Sequence, residues 1–136
     1  MSRGGAIIAT GYIEIVKAIL ATSASATAAQ DGNWCYIGKG MSASITIEGL
    51  ESGGSVSIDV LNKQIKWDDS SADSDWPSNA YDGVPLMTSS LTPVVFTSNG
   101  SYFLGHYSFV KAKKTPSATS SNVTVTTATV SYQIPM

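Results

Sequence analysis

The sequence predicts an all-β protein: an antiparallel β-sandwich, jelly-roll-like, of about seven or eight strands, in one domain covering residues 1–136. Three observations predict it. Ser and Thr are interleaved with Val and Ile along much of the chain, and β-branched residues pack well on a pleated surface. Apolar and polar residues alternate with period two in several short runs. Gly, Pro and Asn punctuate those runs at turn-length intervals.

Residues 1–30 are read as an extended N-terminal arm or a first strand. Ile8, Tyr12, Ile15, Val16 and Ile19 fit a helical stripe as well as Tyr12, Glu14 and Val16 fit alternation. The β-branched content and the flanking Gly11 favour strand. A small-residue connector, ATSASATAAQDG, leads to an Asp31-Gly32 turn. In SASITIEG, Ala43, Ile45 and Ile47 point one way and Ser44, Thr46 and Glu48 the other; in SVSIDVLN, Val56, Ile58 and Val60 alternate with Ser55, Ser57 and Asp59. Glu51-Ser-Gly-Gly54 between them has hairpin-like turn chemistry. NKQIKW extends or follows the second of these strands. TPVVFTSNG ends in Asn99-Gly100, a tight-turn pair, and runs straight into SYFLGHYSFVKAKK. There Tyr107 and Phe109 lie on one face with Val110 and Ala112 on the other, so a strand apolar on both faces is expected to be central. The last run, NVTVTTATVSYQI, shifts phase between Val125 and Ala128, which predicts a bulge or a change of neighbours.

Composition narrows function. Only 13% of residues are charged, about half the usual share, and the net charge is −2. Weak long-range steering and a slight acidity argue against a nucleic-acid partner. The weakly charged, hydroxyl-rich surface suits stable packing against other subunits. The N-terminal apolar run is broken by Glu14 and Lys17, too polar for an export signal and too short for a membrane span, so a cytoplasmic site of synthesis is expected. Cys35 is the single cysteine; it is read as a buried small hydrophobe. Trp34 and Trp67 sit at strand-like positions, where core burial is expected.

Residues 68–83, DDSSADSDWPSNAYDG, hold five of the ten acidic residues. Asp69, Asp73 and Asp75 are weak candidates for a metal, because calcium loops place oxygen ligands at alternate positions. The glycine and closing glutamate of an EF-hand are absent, and the surrounding Ser, Ala and Pro are not a rigid cleft for paired catalytic carboxylates. The stretch is read as a solvated connection between strands. Trp76 and Tyr81 within it are interface candidates, since aromatics in a polar loop anchor contacts; the alternative is that the loop folds back and buries them. His106 stands between Gly105 and Tyr107 with no carboxylate near in sequence to orient it, so it is read as a structural or exposed strand histidine. Lys111, Lys113 and Lys114 form a basic cluster. Lys111 and Lys113 share a strand face and are interface candidates; protection of a sheet edge is the favoured reading. No catalytic residues and no cofactor are expected, and the chain is not read as an enzyme.

The order of AILATSASATAAQDG, SASITIEG, GGSVSIDV, a Trp-containing segment, FTSNGSYFLGHYSFVKAKKT and NVTVTTATVSYQI resembles small β-sandwich accessory proteins of tailed bacteriophage virions, such as decoration (cement) proteins and related head or tail appendages. The resemblance covers roughly residues 15–132 and implies a non-enzymatic capsid decoration protein, assembled in the host cytoplasm and located on the virion. It implies a symmetric homo-oligomer, a trimer foremost, bound to the major capsid protein or other virion subunits, with no nucleic acid and no membrane. The alternative it leaves open is a carbohydrate- or receptor-binding module on a phage head or tail appendage.

Overall fold

A computed structural model of the chain describes residues 12–23, 28–38, 43–62, 77, 83–117 and 123–135. Ten antiparallel strands form two sheets. Sheet A runs, side by side, β1 (Tyr12–Ala21), β10 (Thr127–Pro135), β4 (Ala43–Glu48) and β8 (Gly100–Gly105). Sheet B is centred on β9 (Phe109–Thr115) and β5 (Ser55–Leu61). The outer edge of β9 carries β2 (Gln30–Asp31) and β3 (Cys35–Tyr36), and that of β5 carries β6 (Val84–Pro85) and β7 (Val95–Phe96). Each of these pairs is one edge track interrupted once, so the ten strands occupy eight tracks. Between β2 and β3 the chain turns toward sheet A: the Gly32 N–H still donates to the Ala112 carbonyl at 2.8 Å, but the Asn33 N–H donates to Ile19 of β1 at 2.8 Å. That contact ties one flank of the sandwich together.

Alternation does what the sequence requires of it. Ala43, Ile45 and Ile47 of β4 and Val56, Ile58 and Val60 of β5 are buried between the sheets, joined by Val110 and Ala112 of β9 and Ala128, Val130 and Tyr132 of β10. Burying these β-branched and aromatic side chains contributes on the order of 1.5–3 kcal/mol each. The expected turn at Glu51–Gly54 is present, closed by the Gly54 N–H on the Glu51 carbonyl at 3.1 Å. Its strands do not pair with each other, however: β4 belongs to sheet A and β5 to sheet B, so the turn carries the chain between layers. Asn99-Gly100 likewise leads from β7 in one sheet to β8 in the other.

Two further expectations are corrected. SYFLGHYSFVKAKK is two strands, because Gly105 adopts φ +93°, a backbone turn that L side chains resist, and the chain crosses from sheet A to sheet B. His106 therefore lies exposed in a bend rather than within a strand. The apolar phase shift near Val125 is the start of β10, not a bulge; Thr126, Ala128, Val130 and Tyr132 keep one inward period, and Val125 is exposed. Register shifts sit instead in β1, between Ala18 and Leu20, and in the pairing of β4 with β8, between Ala43 and Ser44. NKQIKW and Trp67 lie outside the described residues.

β9 is central, as its two apolar faces predicted. Its outward Phe109 is fully buried in a second small cluster with Trp34, Tyr36 and Leu61. Trp34 is thus core, as expected, and Gly83 presses so closely on its ring that a Cβ there would stand 2.5 Å from it. Cys35 is buried in the main core, and burial pushes its thiol pKa up, with Lys17 pulling weakly the other way.

Candidate functional site

The residues singled out in the sequence have separate fates. Trp76, Tyr81, Asp69, Asp73 and Asp75 lie outside the described residues. Among the described residues, no three His, Cys, Asp or Glu side chains are grouped to hold a metal ion. Lys111 and Lys113 do share the outward face of sheet B, but β9 has neighbours on both sides, so edge protection does not apply. The Lys111 side chain is 5% exposed, 3.9 Å from Asp31 and 3.8 Å from Asp59, with its ammonium 5.3 Å from the Trp34 ring. It is part of the fold's outer lid on sheet B, leaving Lys113 as the exposed member of the pair.

Lys114 points the other way, between the sheets. It donates to the Glu51 carboxylate at 2.5 Å and to the Thr124 carbonyl at 2.8 Å. Glu51 also accepts from the Ser117 N–H at 2.9 Å and the Thr124 N–H at 3.3 Å. The pair thus clamps the β4–β5 turn to the segments that follow β9 and precede β10. Both side chains are shut off from water, at 2% and 4% exposure. Burial works against the charged form of Glu51. The Lys114 ammonium and the backbone N–H groups of Ser117, Glu51 and Thr124 outweigh it, and together lower the pKa from 4.5 to about 2. The native state therefore holds this carboxylate ionised where the unfolded chain would protonate it. The resulting stability is complete above the unfolded value and is lost as pH falls through the folded one. Urea midpoints measured from pH 5 to pH 2 should fall more steeply for the wild type than for Glu51→Gln.

Among the described residues, the surface feature with most chemical character is the β6–β7 edge of sheet B. From Gly83 to Gly105 the sequence has no Asp, Glu, Lys, Arg or His. This segment carries five of the eight large apolar side chains exposed among the described residues: Phe103 on β8, and Val84, Met87, Leu91 and Val95 along the β6–β7 edge at 61, 46, 81 and 49% exposure. Between β6 and β7 a small loop leaves the sheet, pinched by the Met87–Pro93 bridge. Inside it, the Thr88 N–H donates to the Thr92 carbonyl at 2.8 Å and the Leu91 N–H to the Thr88 carbonyl at 3.0 Å. The Thr88 and Thr92 hydroxyls meet at 2.8 Å. These bonds hold Leu91 at φ +62°, the one non-glycine residue with positive φ among those described, a conformation costing roughly 1–2 kcal/mol. A tightly tied, strained loop thus holds an apolar side chain out into solvent. The stacked rings of Phe96 and Tyr102, 4.3 Å between centroids, anchor this edge to β8 of sheet A. Sequence reasoning missed it because isolated Val, Met and Leu read as core; the signal available was the uncharged run itself.

No protein-family model matches the chain, and no curated protein matches it in sequence. Among solved structures, the SPBc2 prophage-derived protein YomS is similar in fold, with a TM-score of 0.53 at 10% identity. The match covers 92% of this chain and 96% of YomS.

Proposed function

We propose that this chain is a structural protein of a phage particle, a capsid decoration protein that binds the outer shell and stabilises the head. The observation that carries the reading is the uncharged β6–β7 edge, where Val84 and Val95 on the two strands and Met87 and Leu91 on the tied loop between them stand in water. An exposed apolar edge without charges can be covered by a partner without burying a charge. Three further facts support the reading. With each broken edge counted once, the strand order is 1-8-3-6 facing 2-7-4-5, which supports reading the sandwich as a jelly roll, an architecture recurrent in viral capsid proteins, though fold alone does not assign function. The low charge over the whole chain suits broad packing. The structural neighbour YomS is a prophage-derived protein.

On this reading the partners are the major capsid protein or other virion subunits, and the protein acts as a symmetric homo-oligomer, a trimer foremost, so that each weak contact is multiplied. Mass in isolation and co-sedimentation with empty heads test it. The wild type should pellet with heads. Leu91→Glu and Val95→Glu, which place a charge on the edge without touching the core, should reduce pelleting by tenfold or more. A protein that stays monomeric and never pellets would overturn the proposal.

A further inference from the structure

The outer face of sheet A is turned away from sheet B and holds a different kind of surface. Register places one row of side chains across it: Val16 of β1, Ser131 of β10, Ser44 of β4 and Phe103 of β8. The next row begins with Glu14 opposite Gln133. Small serines between larger flanking residues leave a shallow groove of about 190 Å³, lined by Glu14, Ser44, Phe103, Ser131 and Gln133. Taking about 30 Å³ per water, that is room for roughly six waters, or about one sugar ring.

We propose that this groove binds a neutral saccharide residue, with the Phe103 ring as its stacking platform. Phe103 is 72% exposed, the one aromatic residue among the exposed large apolar side chains described, and it stands at one wall of a polar groove. The C–H face of a pyranose is apolar while its rim is ringed with hydroxyls, so it needs one aromatic wall and several hydrogen-bonding groups. The groove supplies both. The Ser44 and Ser131 hydroxyls are 2.9 Å apart, and the bond they share uses one proton, leaving the pair a second O–H to donate and free lone pairs. Gln133 both donates and accepts, and the Glu14 carboxylate accepts from sugar hydroxyls. Glu14 also disfavours an anionic sugar by like-charge repulsion, and among the described residues no basic side chain lines the groove to offset it. The class selected is therefore a neutral hexose or N-acetylhexosamine, met on an open face where a longer glycan can continue past either wall.

The test is binding of the intact protein to a dense array of neutral hexose and N-acetylhexosamine oligosaccharides, printed beside sialylated and phosphorylated counterparts. Neutral glycans should be retained. Phe103→Ala should lower retention about tenfold with an unchanged melting temperature, since the ring is not in the core, and Gln133→Ala should lower it independently. Glu14→Gln should admit anionic glycans. No retention of neutral glycans, a preference for anionic ones in the wild type, or retention indifferent to Phe103→Ala and Gln133→Ala would each overturn the inference. It does not depend on shell binding: a protein that pellets with heads and retains no glycan overturns only the groove.

Discussion

Phe109→Ala is expected to destabilise the protein by about 3–5 kcal/mol, the range for emptying an aromatic site in a core. Phe109 has no exposed surface. Its ring meets Trp34 edge-on at 6.2 Å and 86°, and Tyr36 at 4.9 Å and 48°, arrangements favoured by the ring quadrupoles. Collapse around the missing ring is obstructed. Trp34 is braced by Gly83 on one side and by the Lys111 ammonium on another, while Tyr36 is fixed by its strand position opposite Phe109. A cavity therefore persists, and the cost should lie in the upper part of the range. Urea unfolding should give a lower midpoint with unchanged slope, and the melting temperature should drop by on the order of 10 °C. Phe109→Leu, which keeps most of the volume, should lose far less.

Lys114→Met is expected to cost about 3 kcal/mol, the lower end for breaking a buried ion pair. The substitution keeps the side chain's length and removes its charge, so Glu51 is left buried with only N–H and hydroxyl donors around it. The donors that remain on the carboxylate, the Ser117 and Thr124 N–H groups and the Thr124 hydroxyl, still stabilise its charge, which sets the estimate at the lower end. The double variant Lys114→Met with Glu51→Gln should recover part of the loss, because it leaves no unpaired charge. A double-mutant cycle by urea unfolding checks both statements.

Much of the fold is legible in the sequence because burial between two sheets writes itself as alternation. Ala43, Ile45 and Ile47, and Val56, Ile58 and Val60, are readable for that reason, as is the central place of β9 from its two apolar faces. Which sheet each strand joins is not legible. The Glu51–Gly54 turn and the Asn99-Gly100 pair have the chemistry of tight hairpins, yet both carry the chain between layers, since a turn residue fixes local φ and ψ and not the partner strand. The lysines divide by parity. Lys114 falls in phase with Val110 and Ala112, a signal for burial that clustering with Lys111 and Lys113 concealed. The surface features are hidden differently: Leu91 and Phe103 are apolar residues left outside, and until the strands are placed only the uncharged run around them sets them apart from core.

Electron cryomicroscopy of empty phage heads incubated with the purified protein tests the central claim most directly. Added density on the outer shell, fitted by this sandwich with Val84, Met87, Leu91 and Val95 turned toward the capsid and the outer face of sheet A toward solvent, is the predicted result. Bare shells at saturating protein, or bound sandwiches whose β6–β7 edge faces solvent, would contradict it.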